Sequence, residues 1–432
     1  MSKRPNIILM ISHDLGTHIG PYGRIAEATP TLNQLARDGV TLENHFVTSP
    51  GCSQSRSSLI TGRYPHSNGQ FGLSHLGWTL NRDEELLPGA LRDNGYHTAM
   101  FGIWHLHDWT LAGFNDLSDD VSTVDSSPEG FANVASARAA DWLKEYRGDK
   151  PFYLHVGFWE AHRPFCGQPG DPSVTDELDL NDVSLPSYLP DNEPTRREFA
   201  HLRKSVESVD AGAAAILAAL EESGRAEDTI VIFTADHGLP FPRAKGTLYD
   251  PGIQVAFTAR YPGQFPAGAR RKGLTSNADV MPTLLELAGL PISERIQGKS
   301  FSPALDNGED KPGGTVFAEK TYHEHYDPIR ALRTEQFKFI RNFAPRPKLV
   351  MPSDIYNSPT RQSMTDDAAI WAHRPELELY DLKEDPDELR NLATTNPILV
   401  QQLNQTLQDW MQVTEDPILK GNIARPREST PA

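Results

Sequence analysis

Asn6-Ile7-Ile8-Leu9-Met10-Ile11-Ser12-His13-Asp14 is an apolar run that breaks off into polar residues. It reads as a first buried strand. The same texture returns at residues 97–101, 152–158 and 229–234, and helical stretches at 31–37, 87–93, 130–146 and 196–222 fall between these runs. Such alternation is the signature of an α/β fold with a large, mainly parallel sheet flanked by helices. Ligands of these sheets sit at the carboxyl ends of the strands. There the chain places His13 and Asp14, His105, His162, and Asp236 with His237.

Composition sets the outer limits. The 432 residues, 38% hydrophobic and 23% charged, suit a globular protein with room for two packed units. Near residue 313 the texture shifts to short runs at 331–334 and 337–343 and a last helix at 398–411. We therefore expect a catalytic α/β unit over residues 1–312 and a smaller C-terminal unit over 313–432, an antiparallel sheet with one helix. Residues 166–194, rich in Pro, Asp and Ser, read as a long surface excursion, either a flap over a substrate or inert. No apolar run approaches the ~20 residues of a membrane span. A net charge of −17 opposes binding to nucleic acid. Neither membrane nor nucleic acid is an expected partner, and homo-oligomerisation is left open. An anionic substrate needs a local positive pocket. Cys52 and Cys166 are the only cysteines, and the N-terminal apolar run is shorter than a signal-peptide core, so a cytoplasmic setting is expected.

Ser49-Pro50-Gly51-Cys52-Ser53-Gln54-Ser55-Arg56-Ser57-Ser58-Leu59-Ile60-Thr61-Gly62-Arg63 joins a lone nucleophile, a cation and a helix start. Pro50 and Gly51 mark a turn, and residues 57–61 can run helically to a stop at Gly62. A helix N-terminus lowers a thiol's pKa and favours a bound anion, and Arg56 adds fixed positive charge. Asp14 and Asp236 could converge on a cation beside Cys52, since hard divalent ions need oxygen ligands.

From Cys52 to Arg63 the chain resembles the sulfatase signature Cys-x-Pro-Ser-Arg-x-x-Leu-x-Thr-Gly-Arg at every fixed position but Gln54. Residues 6–16 resemble the family's Asn-Ile-x-x-x-x-x-Asp-Asp-x-Gly, with His13 replacing one aspartate, and Phe233-Thr234-Ala235-Asp236-His237-Gly238 matches its later motif throughout. Lys245-Gly246-Thr247-Leu248-Tyr249-Asp250 resembles a segment whose lysine contacts the sulfate. Gly102-Ile103-Trp104-His105 resembles Gly-Lys-Trp-His with Ile103 replacing the lysine. Asn68-Gly69, the polar run from Glu319 to Arg333, Leu379-Tyr380-Asp381-Leu382 and Asn391-Leu392-Ala393 look most like the heparan N-sulfatase (sulfamidase) branch.

The resemblance implies a metal-dependent hydrolase that cleaves a sulfate ester or sulfamate from a sugar. Cys52, as formylglycine, would be the nucleophile, with Arg56, His105, His162 and Lys245 as the other catalytic residues. His323, His325 and Arg330 would bind substrate. Asp14, Asp236, His237 and His13 would hold one divalent metal ion, calcium by resemblance, manganese or zinc if the His13 nitrogen ligates. The alternative is a phosphodiester or phosphonate monoester hydrolase using unmodified Cys52, since the departures at His13, Gln54 and Ile103 all fall at the active centre. The substrate is in either case a small anion, a sulfated sugar or a phosphoester. A catalytically silent binding protein is a third reading, opposed by the retained Cys52, Arg56, His105, His162, Asp236 and Lys245.

Gln54 lies inside the motif that the converting enzyme reads. Recombinant protein is expected to keep much or all of Cys52 as cysteine; mass spectrometry of the Cys52 peptide checks this, and a product uniformly at the aldehyde mass overturns it.

Overall fold

The computed structural model describes residues 4–106, 112–117, 131–168, 178–180, 183–306, 314–365 and 370–426. The strands of the large sheet are β1 (Asn6–Ser12), β2 (Val40–Phe46), β3 (His97–Gly102), β4 (Asp116–Leu117), β5 (Phe152–Phe158), β6 (Thr229–Ala235), β7 (Gln254–Val255), β8 (Phe257–Arg260) and β9 (Ala269–Ser276). They lie in the order β4-β3-β5-β1-β6-β8-β2-β7, with β9 beside β2. Pairing is parallel from β4 to β6, antiparallel from β6 through β8 and β2 to β7, and parallel again between β2 and β9. The fold is therefore α/β with a mainly parallel sheet, as the alternation implied.

Strand β1 is buried at every position because both of its faces are covered. Ile8 and Met10 pack with the helices Ala132–Glu145 and Glu193–Glu222, while Ile7, Leu9 and Ile11 pack with Cys52–Thr61, Leu87–Asp93 and Val280–Leu287. Each such side chain contributes about 1.5 to 3 kcal/mol of burial. The helix expected at 196–222 starts earlier, at Glu193, because the Asn192 side-chain Oδ1 accepts from Thr195 N at 3.1 Å and Pro194 suits the first turn. Strand β9 was not expected: Ala-Arg-Arg-Lys-Gly carries no apolar run, and the strand is partly exposed. Of the excursion at 166–194, residues 169–177 and 181–182 lie outside the described residues.

The C-terminal sheet is antiparallel, β10 (Val316–Tyr322), β11 (Tyr326–Arg333), β12 (Phe337–Asn342) and β13 (Leu377–Asp381), in chain order. One face carries Leu332, Phe339 and Leu379 against Leu407, Trp410 and Met411 of the last helix, Pro397–Val413; the other joins the main core through Ala318, Ala331 and Ile340. The unit boundary expected at 312/313 lies outside the described residues. Among the described residues no helix is long and apolar enough to cross a membrane.

One candidate residue belongs to this framework and not to a binding site. Arg330 is fully buried, and its guanidinium meets both carboxylate oxygens of Asp416 and lies 3.3 Å from Glu319. Its donors are committed, so the expectation that it binds substrate is corrected. A polar-rich run does not reveal which of its side chains point inward. Arg330→Ala leaves two buried carboxylates without their cation, and we expect a loss of about 3 to 5 kcal/mol in urea unfolding.

Candidate active site

The helix of the nucleophile runs from Cys52 to Thr61, so it starts five residues before the expected 57. Gly51 precedes it in an extended conformation (φ −131°, ψ 140°), and Gly62 closes it at φ 65°, where a side chain would be strained. Cys52 thus occupies the first turn, among backbone N–H groups that the helix leaves unpaired. Every residue of the helix is buried. Gln54 Nε2 donates to the Tyr322 carbonyl at 2.7 Å.

Around Cys52 the ends of four neighbouring strands supply the polar groups. Asp14 follows β1 and His105 follows β3, both at positive φ (53° and 58°), a strained conformation for either residue. The Cys52 Sγ lies 3.1 Å from His237 Nε2, which in turn is 2.9 Å from Asp14 Oδ1. The other oxygen of Asp14 accepts from Lys245 Nζ at 2.7 Å. Arg56 Nε donates to Asp236 Oδ2 at 3.0 Å, and its Nη1 to the Ile103 carbonyl at 3.2 Å. Ile103 therefore serves through its backbone where the family pattern has a lysine. His105 Nδ1 pairs with Ser53 Oγ at 3.0 Å, and His162 Nε2 lies 3.9 Å from Asp14. The lysine loop is tied to the nucleophile turn, since Gly246 N donates to the Pro50 carbonyl at 3.1 Å.

The electrostatics follow from burial. Burial opposes ionisation of Asp14, but Lys245 and His237 outweigh it and hold the carboxyl well below its usual range. His237 is the mirror case: burial favours the neutral ring, and Asp14 with Asp236 outweighs it, raising its pKa. Burial pushes the Cys52 thiol up, with His237 and Lys245 pulling weakly the other way. Of the charges expected to favour a thiolate, Arg56 turns to Asp236 and not to the thiol. Burial also lowers the pKa of His13 and His162.

The donor set fits a metal ion. His13, Asp14, Cys52 and His237 each offer a ligand atom, all within 4.8 Å of one another. Both ring nitrogens of His13 are buried without a hydrogen-bond partner among the described residues, and Asp14 Oδ1 meets His237 as an ion pair outside hydrogen-bond geometry, which is costly unless a cation takes their lone pairs. Asp236 borders the group, 3.4 Å from His13 Nε2.

Of the other expected residues, His323 joins the cluster: it is buried, both its nitrogens lack hydrogen-bond partners among the described residues, and Lys245 and Lys320 add to burial in lowering its pKa. His325 is exposed and lines a separate cavity. Sequence reasoning missed Asp354, whose Oδ2 lies 3.0 Å from Lys245 Nζ and 3.9 Å from His162 Nε2. A lone aspartate in Pro352-Ser353-Asp354 belongs to no motif that could have marked it.

The sulfatase family profile matches residues 5–290. The chain belongs to the sulfatase family. A second profile, the C-terminal part of N-sulphoglucosamine sulphohydrolase, matches residues 237–367 of this sulfatase. It is 29% identical to the N-sulphoglucosamine sulphohydrolase of Homo sapiens, over 95% of this chain and 91% of that protein. It is 28% identical to an ulvan-active sulfatase of Formosa agariphila, over 96% of this chain and 76% of that protein. Among solved structures, a chain in complex with its substrate D-glucosamine-2-N,6-O-disulfate superposes with a TM-score of 0.72 at 22% identity, covering 96% of this chain and 99% of that one. A 2-O GAG sulfatase superposes at 0.74 and 21%, covering 98% and 95%. The sulfatase is thus a hydrolase of sulfate esters or sulfamates.

A divalent ion added to the metal-stripped protein is expected to raise its melting temperature. Asp236→Ala, which removes a carboxylate and frees Arg56 to repel the ion, should abolish that shift while circular dichroism stays native. An unchanged shift in the variant would exclude Asp236 from the site.

Proposed function

We propose that this sulfatase hydrolyses the sulfamate of an N-sulfated amino sugar, with Cys52 acting as formylglycine. The reading is carried by one observation. The segment similar to the N-sulphoglucosamine sulphohydrolase C-terminal part, residues 237–367, is the one that brings Lys245, His323 and Asp354 to the nucleophile. Asp354 beside His162 suits a leaving nitrogen, because an amine that departs takes up a further proton and becomes a cation that a carboxylate favours.

In this reading one hydroxyl oxygen of the hydrated aldehyde bonds to sulfur as its O–H bond breaks, the proton passing to the His105 imidazole, and the S–N bond breaks. The electron pair leaves on nitrogen, where His162 delivers a proton. The covalent sulfate then leaves by C–O cleavage as the second hydroxyl loses its proton and the aldehyde re-forms. Arg56 Nη2, buried and without a hydrogen-bond partner among the described residues, donates to a sulfuryl oxygen, and Lys245 to another. His105, braced by Ser53, orients the nucleophile. The negative charge of an arriving sulfuryl group favours protonated His162, which burial and Lys245 disfavour. Asp14, Asp236, His237 and His13 would hold one divalent cation, which would supply Lewis-acid neutralisation of the sulfuryl charge. Two carboxylates with two imidazoles favour manganese or zinc over the calcium that family resemblance implies.

His162→Ala should cost about 10²- to 10⁴-fold in kcat on a sugar sulfamate, and under about tenfold on a nitrophenyl sulfate whose phenolate needs no proton. Steady-state rates on both substrates check this; equal losses would assign His162 to binding.

A further inference from the structure

Two short elements each serve two places. The turn between β10 and β11 carries His323 into the catalytic cluster and, two residues on, His325 to an open cavity of about 320 Å³. The helix Ser353–Tyr356 sends Asp354 to Lys245 and places Ser353 and Tyr356 in the wall of the same cavity. Glu324 couples the two elements, accepting from Ser353 N at 2.9 Å and Ser353 Oγ at 2.8 Å. The catalytic centre and the cavity thus share a wall.

The far wall is unusual for an exposed surface. Tyr356 and Trp371 are 47% and 48% exposed. The Arg361 guanidinium lies 5.6 and 6.0 Å from their ring centroids, a weak cation–π contact with each. Leu349 and Met351 add apolar surface, and Glu324 and Arg346 bring one charge of each sign to the cavity wall. Aromatic faces beside a few convergent polar groups are what a pyranose ring requires, since its C–H face is apolar and its rim hydroxylated.

We propose that this cavity binds the sugar ring joined to the sulfated one, so that the substrate is at least a disaccharide. The proposal rests on the sugar-sulfamate reading above and deepens it. The shared wall makes the cavity the place where a chain leaving the catalytic centre on that side arrives.

The test is equilibrium binding to the cysteine form, by calorimetry, of N-sulfated glucosamine and of the disaccharides that extend it by one hexose at O1 or at O4. One disaccharide is expected to bind about tenfold tighter than the monosaccharide. Trp371→Ala should return it to the monosaccharide's affinity and leave the monosaccharide itself unchanged, with Tyr356→Ala acting in the same direction. Equal affinity for all three sugars, or equal weakening of all by Trp371→Ala, overturns the subsite. Sulfate release from the same sugars by the formylglycine enzyme separates the two readings. Tenfold preference without release overturns the sulfamate reading alone, release without preference overturns the subsite alone, and no binding of any sugar overturns both.

Discussion

A carboxylate with no access to water governs this molecule. Asp14 is fully buried, and removing its charge from solvent costs several kcal/mol unless cations face it. Lys245 and His237 face it at 2.7 and 2.9 Å, and each is itself buried and needs a negative neighbour. None of the three is tenable alone. The constraint reaches into the fold, because β1 and β6 must lie side by side in parallel register for Asp14 and Asp236 to emerge at the same end. It also explains why Asp14 keeps a strained backbone: the pairing of its two oxygens outweighs the cost of a positive φ.

The smaller sheet is part of that arrangement. Two of its buried lysines reach into the loop that bears Lys245: Lys320 Nζ donates to the Gly246 carbonyl at 2.7 Å and Lys338 Nζ to the Leu248 carbonyl at 2.9 Å. Lys245 is therefore held from below by the C-terminal strands, and from the side by the Pro50 carbonyl through Gly246. A displacement of this sheet would move the Lys245 ammonium together with the part of the main core that Ala318, Ala331 and Ile340 join.

What could be read from the residues divides along physical lines. Strands covered on both faces announce themselves by unbroken apolar runs, so β1, β3, β5 and β6 and the polar residues at their ends were legible. β9 was not, because an edge strand with exposed arginines needs no such run. The Cys52 helix was recognisable by its stop at Gly62, but its start was placed too late, since serines at 53, 55 and 57 read equally well as caps and as helix. The state of the thiol depends on burial and on which carboxylate claims Arg56, and both are properties of the assembled fold. Arg330 and Asp354 were misread or missed for the same reason: one faces inward to Asp416, the other reaches the site from 109 residues beyond Lys245 in sequence.

The bond from Gln54 to the Tyr322 carbonyl spans 268 residues of chain. While a ribosome is still making the intervening segment, that bond has no acceptor and the Cys52 helix has no lid. At roughly 5 to 20 residues per second the interval lasts on the order of 13 to 54 seconds. An enzyme that acted on the peptide around Cys52 would compete in that interval against closure of the fold, so the pace of synthesis would set how long that peptide stays within reach.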